Sequence, residues 1–215
     1  MTKIKICGIT RLSDALDACR AGADALGFNF SAKSPRNITP EQARKIILRL
    51  PPFVATAGIF VEHSPEEINE ICHSCGIRIA QLHNDEYTPD QARTISGAMV
   101  MKVFRPEHDF NVARVFEFAE KSGISSFLFD AFRPGTYGGT GEVIEDSLAG
   151  RIFNDVRSSC YAVLAGGLNE TNVRRAIVHT RPYGVDVASG VEHEPGIKDA
   201  VKMRAFIREV RATVY

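Results

Sequence analysis

From Lys3 to Ile6 charged and β-branched residues alternate, and the alternation runs out at Cys7-Gly8. A period of two predicts a strand over residues 3–9, with Lys3, Lys5 and Cys7 on one face and Ile4 and Ile6 on the other. Gly8 then breaks the strand, and Thr10 is placed to cap a helix over 12–21. The same exchange of short apolar runs and amphipathic segments continues along the chain. Further strands are predicted over 25–30, 53–60, 79–82, 99–104, 126–130, 161–164 and 184–187. Helices are predicted over 40–50, 65–75, 88–95, 111–121, 148–156, 171–179 and 198–211. Eight strands and eight helices in strict alternation are what a closed parallel sheet with an outer ring of helices requires. The expected fold class is therefore α/β, a single (β/α)8 barrel domain over residues 1–215.

Helix punctuation supports this division. Thr39-Pro-Glu-Gln42, Ser64-Pro-Glu-Glu67 and Thr88-Pro-Asp-Gln91 each read as a capping box with proline at the first helical position. Gly22, Gly76 and Gly123 fall where helices should stop. Composition changes the picture only by exclusion. The 26 basic and 26 acidic residues balance, which argues against a nucleic-acid or membrane-surface protein. No apolar run approaches the ~20 residues of a membrane span, and Lys3 and Lys5 interrupt any signal-peptide core, so the cytoplasm is the expected compartment. Five cysteines, an odd and scattered set, do not form a disulfide framework. Cys72 and Cys75 lack a second ligand pair for zinc and read as buried free thiols.

In a parallel barrel the chemistry lies on the loops that follow the strands. That rule selects Cys7, Asp130 and Asp186 at strand C-ends, together with loops two, six, seven and eight. Gly166 and Gly167 in loop seven, with Ser189 and Gly190 in loop eight, offer bare backbone amides for a phosphate. Loop six, read as 131–147, carries Gly138, Gly139, Thr140 and Gly141, a glycine-rich run suited to a lid over the site; a plain flexible loop is the other reading. Arg36, stiffened by Pro35, either faces the mouth and pairs with a substrate carboxylate or is solvated at the surface. Asp130, closing an apolar strand, has the placement of a general acid. Asp186 ends the strand that neighbours the first and could pair with Lys5, a structural role as open as a catalytic one. His83 is either a substrate contact or a hydrogen-bonded rim histidine.

Taken together, Lys5-Ile-Cys-Gly-Ile-Thr10, Leu26-Gly-Phe28, Ser34-Pro-Arg36, Gln81-Leu-His83, Phe129-Asp130, Gly138-Gly-Thr-Gly141, Leu164-Ala-Gly-Gly-Leu168 and Gly184-Val-Asp-Val-Ala-Ser-Gly-Val-Glu192 resemble the phosphoribosylanthranilate isomerase family. The resemblance runs the length of the chain. It implies an Amadori rearrangement of N-(5-phosphoribosyl)anthranilate to 1-(2-carboxyphenylamino)-1-deoxyribulose 5-phosphate, within tryptophan biosynthesis and without a metal or organic cofactor. It further implies Asp130 as general acid, Cys7 as general base, Arg36 as the partner of the anthranilate carboxylate, and loops seven and eight as the phosphate cradle. A thiol is only slightly ionised near neutral pH, so Lys5 is expected to favour the thiolate. The substrate would be the only partner besides a second copy, the chain being a monomer or a homodimer.

The chain also departs from the family. It has no tryptophan, and Glu142-Val-Ile-Glu-Asp-Ser147 replaces the usual Phe-Asp-Trp that follows the loop-six glycines. Two alternatives follow: a phosphosugar-binding barrel without this activity, or an isomerase of a related aminoaldose phosphate.

Overall fold

The computed structural model describes residues 1–130 and 141–214, with only the backbone over 141–147. Eight strands close a parallel barrel in the order β1-β2-β3-β4-β5-β6-β7-β8. They are β1 (Lys3–Ile6), β2 (Ala25–Asn29), β3 (Ala55–Phe60), β4 (Ile79–Leu82), β5 (Met99–Phe104), β6 (Ser126–Asp130), β7 (Tyr161–Ala165) and β8 (Gly184–Val187). The helices between and after them are α1 (Leu12–Ala21), α2 (Pro40–Ile47), α3 (Pro65–Cys75), α4 (Pro89–Thr94), α5 (Ala113–Ser122), α6 (Gly141–Val156), α7 (Val173–Thr180) and α8 (Ala200–Ala212). A 3-10 turn, Ser189–Val191, and a small hairpin of β9 (Glu192–Glu194) and β10 (Ile197–Lys198) lie between β8 and α8.

Alternation along the strands divides the core. Ile4, Ile6, Leu26, Phe28, Phe127 and Phe129 are buried beneath the helices, while Val103, Leu128, Val163 and Ala165 form a separate cluster inside the barrel. This second cluster fills only part of the interior, and buried polar groups, Lys5, Gln81 and Asp186 among them, join it. The seam is closed by β1 against β8, in a register that sets Lys5 beside Asp186 and Ile6 beside Val187.

All three capping boxes form, each with its reciprocal pair of hydrogen bonds. Losing such a cap typically costs about 1 kcal/mol. Gly22, Gly76 and Gly123 end α1, α3 and α5 in the left-handed conformation that an L side chain rarely adopts.

Several boundaries differ from the sequence expectation. Strand one stops at Ile6, because Gly8 turns at φ 79° and the amides of Gly8 and Ile9 donate to the Gly27 carbonyl. Thr10 does not cap α1. Arg11 occupies the cap position without a side-chain bond, and the Thr10 hydroxyl donates instead to the Gly196 carbonyl. Helix α2 ends three residues early, ahead of the Pro51-Pro52 pair. Lys198 belongs to β10 and not to a helix; the Asp199 carboxylate caps α8 by accepting from the Val201 and Lys202 amides. Residues 141–147, read from the sequence as part of loop six, are the first turns of α6. The expected lid residues Gly138, Gly139 and Thr140 lie outside the described residues, and Gly141 opens α6.

Candidate active site

Strand C-ends converge on Cys7. The residue follows β1 on the Lys5 face, and its amide donates to the Val187 carbonyl at 2.8 Å, which fixes the thiol at the β1–β8 seam. Gly27 makes room for it: a Cβ there would lie 2.8 Å from Cys7 Sγ and 3.1 Å from Lys5 Nζ. Thiol and ammonium therefore share the space above one missing side chain.

Lys5 Nζ donates to Asp186 Oδ2 at 2.8 Å, with each side chain only 8% exposed. Burial alone would lower the Lys5 pKa, but Asp186 and the neighbouring sulfur override it and the net direction is upward. Lys5 stays an ammonium. Burial pushes the Cys7 thiol above its ordinary value and Asp186 adds to this, whereas Lys5 and Lys198 pull it down and lose. Lys5 does favour the thiolate, but against a larger opposing cost. Asp186 Oδ1 is buried with no hydrogen-bond partner among the described residues.

Loop two brings Arg36 to the same place. Its stem packs on Gly8, where a Cβ would come within 2.5 Å of Cδ, and its charge acts on Cys7. Nε and Nη2 of Arg36 donate to Glu192 Oε1 and Oε2 at 2.8 and 2.6 Å, a two-bond fork. The solvated reading is excluded, since the side chain is 21% exposed, and the carboxylate it meets is the chain's own Glu192.

His83 follows β4 at the rim. The Gln81 amide lies 2.6 Å from its Nε2, and Arg105 Nη2 lies 3.2 Å from its Nδ1. A guanidinium only donates, so Nδ1 accepts the Arg105 bond. Burial, with Lys5, Arg105 and Lys102 nearby, lowers the His83 pKa to about 3. The ring is neutral at any working pH.

Asp130 ends β6, and Leu128, two residues earlier, points into the barrel, so Asp130 shares its inward face. On β7 and β8 the following loops touch directly: a Cβ on Gly190 would collide with the Leu168 carbonyl. Gly166 and Gly167 take φ of 99° and 61°, which a bulkier residue would resist. Asparagine side chains set loop seven, because Asn172 accepts from the Asn169 amide at 2.9 Å and donates to the Gly167 carbonyl at 3.0 Å. The mouth thus collects a thiol, a carboxyl, a guanidinium and two abutting glycine loops.

Comparison with known proteins identifies the family of the chain. The family profile described as N-(5'phosphoribosyl)anthranilate (PRA) isomerase matches residues 4–209. The chain belongs to that family. It is 67% identical, over the full length of both chains, to N-(5'-phosphoribosyl)anthranilate isomerase of Pelodictyon phaeoclathratiforme. It is 57% identical to the enzyme of that name from Chlorobaculum tepidum, covering 98% of this chain and 96% of the relative. The solved phosphoribosyl anthranilate isomerase of Thermotoga maritima superposes with a TM-score of 0.85 at 40% identity, covering 98% and 99% of the two chains. Another isomerase structure, in complex with reduced 1-(o-carboxyphenylamino)-1-deoxyribulose 5-phosphate, superposes with a TM-score of 0.84 at 38% identity, covering 98% and 99%. The chain is a phosphoribosylanthranilate isomerase, an enzyme of tryptophan biosynthesis. Among its described residues no helix is long and apolar enough to cross a membrane.

Within this isomerase, sequence reasoning left three contributors without a role. Glu192 ends one of the runs that carry the resemblance, Lys198 opens a predicted helix, and Arg105 carries no sequence signal. Their signal is tertiary. Glu192 meets Arg36 from 156 positions away, and Arg105 meets His83 from 22. Gly27 could be found only as a strand glycine, which marks a close approach without saying of what.

Proposed function

We propose that Asp130 and Cys7 are the acid and base of the isomerisation, acting from opposite parts of the barrel mouth. The chemistry needs a proton delivered to the ribose ring oxygen, which opens the ring to a Schiff base. It then needs the C2 proton removed, giving an enolamine that becomes the ketose. Asp130, inward on β6, suits the first step, and Cys7, beside Lys5 at the β1–β8 seam, suits the second. The reactive form holds a proton on the carboxyl and none on the thiol, the reverse of the order in which such groups ordinarily titrate. Lys5 and Lys198 lessen that cost at the sulfur. Arg36 is the partner of the anthranilate carboxylate, and the backbone of Gly166, Gly167, Ser189 and Gly190 holds the phosphate.

The observation that carries this reading is the shared space of Cys7 Sγ and Lys5 Nζ above Gly27, within reach of the Arg36 charge. The test is the fluorescence decay of freshly generated phosphoribosylanthranilate with wild-type protein beside Asp130→Asn. Rapid decay abolished by the substitution supports the acid; equal decay in both removes Asp130 from that role.

Residues 1–215 act in this reading as one domain. A cytoplasmic location fits the five free cysteines. A Thermotoga maritima relative, 35% identical, is described as dimeric, which favours a homodimer over a monomer here; light scattering decides between them.

A further inference from the structure

We infer that Glu192 is a positioning residue that fixes the hand Arg36 offers to the substrate's aromatic carboxylate. The inference rests on the proposed role of Arg36. A guanidinium has five N–H donors on two usable edges, Nε–Nη2 and Nη1–Nη2. Glu192 occupies the first edge completely, with bonds of 2.8 Å from Nε and 2.6 Å from Nη2. Both Nη1 hydrogens and the second Nη2 hydrogen remain, and these form an intact two-donor edge that matches another carboxylate. With the stem of Arg36 laid on Gly8, that edge has one orientation.

Glu192 is itself immobilised. It is 6% exposed, and Oε1 also accepts from Lys198 Nζ at 2.7 Å and from the Gly196 amide at 3.2 Å. Its carbonyl accepts from Lys202 Nζ at 2.9 Å. Lys198 in turn donates to the Ala188 carbonyl at the start of loop eight. Glu192 therefore ties loop two, which carries Arg36, to the loop proposed to hold the phosphate. A long arginine left unbraced would sample many rotamers and lose them on binding; here the ordering is complete before substrate arrives. The carboxylate also offsets the Arg36 charge, so recognition depends on direction more than on net attraction.

The experiment measures dissociation constants by calorimetry for reduced 1-(o-carboxyphenylamino)-1-deoxyribulose 5-phosphate and for the same compound without its carboxyl group. The proteins are wild type, Glu192→Gln, Arg36→Met and the double variant. Glutamine keeps the volume and the bonds to Lys198 and Arg36 Nε, but turns an NH2 toward Nη2 and breaks the fork. The expected result is at least tenfold weaker binding of the carboxylate ligand by Glu192→Gln, with the carboxyl-free ligand within twofold of wild type. The double variant should be little weaker than Arg36→Met alone, and KM should rise in Glu192→Gln with kcat changed only a few-fold. Equal weakening of both ligands, or of neither, overturns the inference and leaves the Arg36 reading standing. Should Arg36→Met itself bind both ligands as wild type does, the Arg36 reading fails and the inference with it. If Glu192→Gln does not fold, Glu192→Asp answers the same question, since it keeps the charge and draws the fork back by one methylene; a loss confined to the carboxylate ligand is again the supporting result.

Discussion

Lys5 Nζ and Asp186 Oδ2 sit 2.8 Å apart across the seam where the last strand closes on the first, and neither side chain is more than 8% exposed. The pair does two jobs with one contact. It neutralises charge in the barrel interior, and it places an ammonium beside the Cys7 sulfur. Removing either partner strands the other, and an uncompensated buried charge costs about 3–5 kcal/mol. A melting-temperature loss in Lys5→Met or Asp186→Ala matching that range would reflect the buried pair; an unchanged melting temperature would show it to be energetically idle.

The Cys7 thiol should answer the two partners in opposite directions. Asp186 raises its pKa and Lys5 lowers it. Asp186→Asn should therefore move the midpoint of Cys7 alkylation to lower pH, and Lys5→Met should move it higher. Peptide-resolved iodoacetamide labelling across pH separates Cys7 from Cys72, whose burial holds its thiol at about 12. A Lys5→Met profile identical to wild type would remove the lysine from any role at the sulfur.

Cys7→Ser should still bind the reduced product analogue while losing turnover by about 10²–10⁴-fold, the usual contribution of a positioned acid or base. Near-normal turnover in this variant would exclude Cys7 as the base.

Gly27→Ala tests the shared space directly. The added methyl falls 2.8 Å from Cys7 Sγ and 3.1 Å from both Cys7 Cα and Lys5 Nζ, so the sulfur and the ammonium must shift. Overpacking of this kind typically costs about 1–3 kcal/mol. The expected signature is a large loss of kcat with a modest fall in melting temperature. A variant with wild-type kcat would show that the sulfur's position is not critical.

Asp24 gives a stability prediction with a defined pH window. Burial works against its ionised form. The Ile4 amide at 2.9 Å, Arg211 Nη2 at 2.8 Å and Lys3 nevertheless bring its pKa below the usual value. A depressed folded pKa means that the contribution is complete above the unfolded value near ~3.9 and disappears as pH falls through the folded one. Asp24→Asn should thus lower unfolding free energy by about 1–2 kcal/mol at neutral pH, with the difference from wild type shrinking below about pH 4. A difference that grows in acid would contradict this assignment.

Local chemistry made much of the barrel legible from sequence. Period-two runs and Ser/Thr-Pro capping boxes act within a few residues, so all eight strands, the three boxed helix starts and three glycine stops could be placed without tertiary information. Where a local signal competed with a distant partner, the distant partner prevailed. Thr10 has a good N-cap residue type, yet its hydroxyl is taken by Gly196. Lys198 looks like a helix residue, yet its ammonium is drawn to Glu192 and its amide to Asp14.

The sequence by itself determined the α/β alternation, the placement of Cys7, Asp130 and Asp186 at strand ends, and the glycine loops that follow β7 and β8. These are properties of neighbouring residues and of strand order. The tertiary structure turned the Lys5–Asp186 pairing, open in the sequence, into a contact, and it alone decided that Glu192 grips Arg36, that Arg105 holds a neutral His83, and that burial opposes the Cys7 thiolate. Each depends on which side chains barrel closure brings together out of water. Charge in a low-dielectric site is governed by distance and solvent exclusion, neither of which is written along the chain.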